Sequence, residues 1–297
     1  MSLPSLGLAV IGDEVGTSLD EMISFFREHS IARLDMRTVD GRHLLSMSLQ
    51  EASSIIRQIE SAGLRVHTFV SPLLDWAAAG QAAEGGQPDF PFDPSQCPRE
   101  DPLIHAFDIA TVLGARKMRV SSYLRYPGYQ PKDLFGRYER LIDLAFTYSV
   151  TVEIENEPIG NMSSVSDLAD YFACMKAAVA PNPLPRNLRP LLNIANAWAI
   201  GKPPTDEEIA SLADRIDLIH VKDYDTRTNS AAPLGEGDIP WVGELKRILS
   251  ASANSKKPVQ ELMATVEAHS LGDGRESVGR SVAALRRIAN QIGVEIT

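Results

Sequence analysis

Cysteine is scarce in this chain of 297 residues: Cys97 and Cys174 are the only two, and they form no C-x-x-C pair. That excludes a disulfide framework and a zinc–thiolate site, and points to a reducing, cytoplasmic setting. Long apolar runs are also missing. None approaches the roughly 18 residues needed to span a bilayer, so no membrane partner is expected. Basic residues are outnumbered, with 29 Lys and Arg against 39 Asp and Glu and a formal net charge of −10. Nucleic acid is therefore not expected as a partner, because phosphate backbones need a basic face. No G-x-G-x-x-G follows the first apolar run, so a dinucleotide-binding fold has no support. The opening MSLPSLGLAVIGDEVG has no basic leader and runs straight into Asp13-Glu14. It reads as a first strand rather than a signal peptide.

Present instead is a regular alternation of short apolar runs and amphipathic stretches. Strands are predicted over about 6–11, 31–37, 65–70, 117–123, 150–155, 188–194, 216–223 and 263–269. Helical stretches lie between them, two opened by S-x-x-E capping boxes at Ser18/Glu21 and Ser48/Glu51. Hydrophobic residues make up 44% and charged residues 23%, ordinary values for a soluble enzyme. Strict alternation argues for a parallel sheet covered by helices, and eight units make a closed (β/α)₈ TIM barrel, one α/β domain over 1–297. The Pro/Gly-rich stretch over 85–102 falls between strand three and its helix. It reads either as a lid over the site or as a contact between copies in a homo-oligomer.

Three strands carry chemistry. On strand five, Glu153, Glu155 and Glu157 alternate with Val152 and Ile154, so the three carboxylates share the face turned into the barrel or its mouth. Buried together they repel one another unless a cation joins them. On strand seven, His220 and Lys222 lie opposite Ile219 and Val221, with Asp223 following. On strand eight, Glu267 stands where barrel enzymes place catalytic groups. On strand two, Asp35 and Arg37 share the inner face and either pair with each other or meet a substrate. Glu14, His67, Arg119 and Tyr123 also lie near strand ends.

Several phrases together resemble one family. They are LDMRTVDGRHLL (34–45), SPL (71–73), RVSSY (119–123), EIENEP (153–158), NIANAW (193–198), HVKDY (220–224), PLGEGDIPW (233–241) and VEAH (266–269). In order and placement they resemble the sugar phosphate isomerase/epimerase family of xylose-isomerase-like barrels, which is related to endonuclease IV. The resemblance implies a divalent metal (Mn, Mg, Co or Zn) held by a glutamate, an aspartate, a histidine and a glutamate from strands five to eight. The matching positions are Glu155, Asn193, His220 and Glu267. Asn193 departs from the pattern, and Asn196 stands where the family has a nearby histidine, so weaker metal binding is expected.

The implied activity is isomerisation or epimerisation of a sugar-like small molecule by proton abstraction next to a carbonyl. Glu155 and Glu267 would be the catalytic pair. Arg37, Glu157, Asn196, Lys222, Asp223 and Arg227 are the substrate-binding candidates, with Asp223 able to orient His220 or Lys222 instead. A dehydratase acting on an inosose or dehydroshikimate, or a sugar-binding barrel without catalysis, are the alternatives.

Overall fold

The computed structural model describes residues 3–269 and 274–297. Eight parallel strands close into a barrel: Ser5–Ile11, Arg33–Met36, Arg65–Val70, Lys117–Val120, Thr151–Glu155, Leu188–Asn193, Leu218–Val221 and Glu261–Val266. Each pairs with its neighbours in sequence, and strand one closes the ring against strand eight over six residue pairs from Ser5↔Glu261 to Val10↔Val266. Both faces of such a strand are covered, which is why the strands read as nearly continuous apolar runs. Strand eight, ELMATV, is buried at every position but its first.

Helices cover the outside. Ser18 and Ser48 each accept from the backbone N–H three residues on while Glu21 and Glu51 reach back to the cap, so both predicted boxes form. These caps satisfy otherwise orphaned first-turn amides and hold the helix entry points after strands one and two. The main core lies between helices and strands. A separate small apolar cluster of Ala9, Leu191, Leu218 and Met263 fills part of the barrel interior.

Three local elements are absent from the sequence expectation. A hairpin joins Thr38–Val39 to Arg42–His43 through Asp40 (φ 52°) and Gly41 (φ 71°). An Asp-Gly pair with both φ positive is the two-residue hairpin turn that matches strand twist. A second hairpin pairs Asp223–Asp225 with Ser230–Ala232. A short helix, Ile194–Ala199, follows strand six directly. All three stand at the C-terminal end of the barrel and shape its mouth. No helix among the described residues is long and apolar enough to cross a membrane.

Candidate active site

Strand register assembles the site. Asn193 lies beside His220 across strands six and seven, and His220 lies beside Thr265 across strands seven and eight. Two residues beyond Thr265 on the same face, Glu267 follows the end of strand eight. Glu155 ends strand five. The result is a buried trio of Glu155, His220 and Glu267, each with one ligand-type atom within 4.8 Å of the others.

Every group in the trio has partners. Glu155 Oε2 accepts from Arg119 Nε at 2.7 Å. Its Oε1 accepts from Asn193 Nδ2 at 2.8 Å and faces His220 Nδ1 at 2.9 Å. Glu267 Oε2 accepts from the same Asn193 Nδ2 at 2.8 Å and from Lys222 Nζ at 2.9 Å, while Oε1 faces His269 Nε2 at 2.8 Å. Burial opposes ionisation of both carboxyls, but the surrounding cations outweigh it. His220 and Arg119 hold Glu155 down to about 2. Lys222 and His269 hold Glu267 well below the usual carboxylate range. For His220, burial disfavours the proton, but Glu155 and then Glu267 push it up to about 10. Burial and repulsion by Glu155 raise Glu157 to about 7.

The donor chemistry fits a divalent metal. Two carboxylates and an imidazole suit Mn²⁺, Co²⁺ or Zn²⁺, and three protein ligands with an open position are the usual catalytic pattern. Two carboxylates facing the His220 ring at 2.9 and 3.6 Å favour positive charge where the three groups meet. Asn193 stands differently from a fourth ligand. Its Oδ1 accepts from the Asn196 N–H at 3.2 Å, capping the helix that follows, and this fixes Nδ2 toward both glutamates. It bridges the carboxylates with donated hydrogens, and its oxygen faces away from them.

Strand five separates its carboxylates by depth. Glu153 does not reach the mouth: it pairs with Lys117 at 2.9 Å, and Lys117 in turn bonds Asp217. Glu157 lies in the mouth, 3.3 Å from both Arg119 NH2 and Asn196 Nδ2. Asp35 and Arg37 do not pair. Asp35 turns inward to Thr68 N and Thr265 Oγ1 and lies 3.3 Å from His67 Nδ1. Arg37 reaches Asp13 at 3.0 Å and Glu14 at 2.9 Å.

Asp223 orients neither His220 nor Lys222. Its carboxylate accepts from the backbone amides of Tyr224, Gly235 and Ile239, anchoring the following loop. Arg227 is not brought into the site either: its side chain is 84% exposed and pairs with Asp225 on the hairpin. Sequence reasoning missed Asp75, which binds Arg119 at 2.7 Å, and Asn156, whose side chain bonds both the N–H and the carbonyl of Asn193. Asp75 lies in a loop with no local pattern to mark it. Asn156 was visible as a carboxamide set between two glutamates.

Glu155 and Glu267 open into a cavity of about 850 Å³ also lined by Arg37, Asp75, Arg119, Glu157, Asn196 and Lys222, among others, with His220 buried behind them. Part of the proline-rich segment also lines it. Phe90 lies over the Arg37 guanidinium at 3.4 Å, and Asp89 stands 3.4 Å from His269. That segment is thus placed over the mouth, as a lid would be.

A closed eight-stranded barrel with an acid–histidine centre at its strand C-termini defines a class of barrel enzyme scaffold. The chain belongs to the xylose isomerase-like TIM barrel family, whose model matches residues 98–253. No curated protein sequence matches it. Solved structures similar to it include a D-tagatose 3-epimerase-like protein (14% identity, 97% of this chain and 99% of that one, TM-score 0.64). The probable 3-DHS dehydratase AsbF from Bacillus anthracis is similar at 14% identity over 95% and 98% of the chains, TM-score 0.63. The IOLI protein, solved with a zinc atom, is similar at 13% identity over 97% and 99%, TM-score 0.67. At these identities the likeness is one of fold.

Proposed function

We propose that this protein is a metal-assisted isomerase or epimerase of a sugar-like carbonyl compound, with Glu155 and Glu267 as the proton-transferring pair. The supporting observation is the convergence of Glu155, His220 and Glu267 within 4.8 Å beside the cavity. Both glutamates are ionised at neutral pH, the form that accepts a proton. One removes the proton from the carbon next to the carbonyl; that same carboxyl, now protonated, returns it to the neighbouring carbon, or the other glutamate, once it has taken up a proton from solvent, delivers that proton to the opposite face of the same carbon while the first releases its own to solvent. Lys222 and Arg119 keep the pair ionised and oriented. Glu157, which titrates near neutrality, is suited to exchange that proton with solvent. A divalent ion held by Glu155, His220 and Glu267 would polarise the carbonyl and stabilise the enediolate.

Solvent-exchange NMR tests this reading. Incubated in D₂O with Mn²⁺, Mg²⁺, Co²⁺ or Zn²⁺ and a panel of ketoses and cyclic polyol ketones, the enzyme should wash deuterium into the position next to the carbonyl without loss of water. A new ultraviolet absorbance from an unsaturated carbonyl would make it a dehydratase. Absence of both reactions across the panel would make it a binding barrel.

A further inference from the structure

We infer that His269 is a positioning residue for Glu267: its ring fixes the plane of that carboxylate toward the point where Glu155, His220 and Glu267 meet. The inference rests on the proton-transfer reading given above and adds a residue to it.

The two glutamates are held in different ways. Glu155 ends strand five inside the barrel ladder, paired with Leu191 of strand six. The barrel wall supplies partners for both its oxygens, Arg119 for one, Asn193 and His220 for the other. Glu267 lies one residue past the last ladder pairs of strand eight, which Val266 makes with Val10 and Val221. Its Oε2 accepts from Asn193 at 2.8 Å and Lys222 at 2.9 Å. Its Oε1 has one hydrogen-bond partner among the described residues, His269 Nε2 at 2.8 Å. An ionised carboxylate only accepts, so Nε2 carries the hydrogen. A carboxylate gripped at one oxygen can swing about it, whereas one gripped at both keeps its plane.

His269 is itself held in place. Its backbone stands in the left-handed region at φ 44°. A residue with a Cβ adopts that conformation at a cost and keeps it only where its surroundings impose it. A left-handed residue also breaks the strand direction, and here the ring meets a carboxylate two positions back. Glu14 supplies the backbone anchor: its Oε2 accepts from the His269 N–H at 2.9 Å while its Oε1 accepts from Arg37 at 2.9 Å. The ring lies 6.3 Å from the Phe90 ring, and Nδ1 stands 3.4 Å from Asp89. The Asp89 side chain is 76% exposed and that of Glu267 8%. Water screens the exposed pair, so the buried bond to Glu267 decides where the ring points. Partners of this kind, one bond removed from a metal ligand, typically govern 10–100-fold in affinity or activity.

Two substitutions separate the donated hydrogen from the bulk of the ring. His269→Phe keeps a ring beside Phe90 but has no donor. His269→Gln places an amide nitrogen at about the reach of Nε2. Both are titrated with Mn²⁺ in the calorimeter and assayed for D₂O exchange with D-fructose, D-tagatose and scyllo-inosose. His269→Phe should weaken Mn²⁺ binding about tenfold and lower the exchange kcat about 10–100-fold, with KM little changed. His269→Gln should recover most of both losses. Should His269→Phe not fold, His269→Leu, smaller and equally without a donor, takes its place with the same expectation. Wild-type Mn²⁺ affinity and kcat in the donor-less variant overturn the inference and leave the isomerase reading standing. So do equal losses in the donor-less and Gln variants, which would trace the effect to packing. No exchange by the wild type with any probe removes the isomerase reading, and the Mn²⁺ titrations alone then decide the role of His269. No exchange and no Mn²⁺ binding by the wild type removes both.

Discussion

Two charge networks lie two residues apart on strand five, and they differ in what they face. The deeper one joins Lys117 and Arg189 to Glu153 and Asp217, and burial there pushes Glu153 up to about 8. It lies outside the cavity lining. The upper one sets four carboxylates, Asp75, Glu155, Glu157 and Glu267, around two fixed cations, Arg119 and Lys222. It opens on the cavity and holds more carboxylates than fixed cations. The histidines fill that gap with protons: Glu155 and Glu267 push His220 up to about 10, and Glu267 also raises His269 against burial and Lys222. The deeper network ties neighbouring strands together away from the cavity, while the upper one gathers carboxylates beside it.

The strongest test of this contrast is catalytic. Glu155→Gln or Glu267→Gln should each lower kcat by about 10²–10⁴-fold, the usual contribution of a positioned base, with the circular dichroism spectrum unchanged. Near-normal turnover by either variant removes that residue from the mechanism. In the lower network, Lys117→Met should leave activity per folded molecule unaltered but cost about 3 kcal/mol in urea denaturation, because it strands buried carboxylates. If kcat falls and stability holds, the two networks do not divide the work in this way.

Asn193→Asp sharpens the comparison from the upper side. It replaces a donated hydrogen with a third ligand charge and should tighten Mn²⁺ or Zn²⁺ binding by about tenfold, or about 1.4 kcal/mol, in calorimetry. If neither protein binds Mg²⁺, Mn²⁺, Co²⁺ or Zn²⁺, the metal-assisted mechanism is wrong for this chain.

Metal uptake should also depend on pH. His220 is raised from 6.5 to about 10 in the ion-free fold, and it must be neutral to bind a metal. Its proton stabilises the fold fully below pH 6.5, and that contribution disappears as pH rises through about 10. Metal affinity has the opposite trend, strengthening from pH 7 toward 10. Calorimetry in two buffers of different ionisation enthalpy should count close to one proton released per metal bound. Uptake without proton release would mean that His220 is not a ligand.

The smallest effect is expected at the proline-rich segment over the mouth. Phe90 is 36% exposed, and its stacking on Arg37 contributes about 0.5–1 kcal/mol. Phe90→Ala should raise KM a few-fold with little change in kcat. An unchanged KM would leave the segment as surface without a role in substrate binding.

The eight-unit alternation, both capping boxes and the acid-bearing ends of strands five and eight were legible in sequence, because strand periodicity and helix capping are local. So was the placement of His220 and Lys222 on one face of strand seven. The Asp40-Gly41 turn was equally local and marked a hairpin that the strand-and-helix reading passed over. Partner choice was not legible. Nothing near Asp223 in sequence shows that its carboxylate would accept from Gly235 and Ile239, and nothing near Arg119 points to Asp75.

The sequence by itself determined which residues face the barrel interior and that an acid-and-histidine cluster stands at the strand ends. Side-chain alternation along a strand is a property of the backbone alone. Only the tertiary structure decided that Glu153 is spent on Lys117 while Glu155 meets His220. It alone turned the Asn193 amide nitrogen toward two glutamates and set a carboxylate against each of Arg37, Arg119 and Lys222. Those outcomes depend on which strands close beside which and at what depth, and that register is set by packing across the whole barrel.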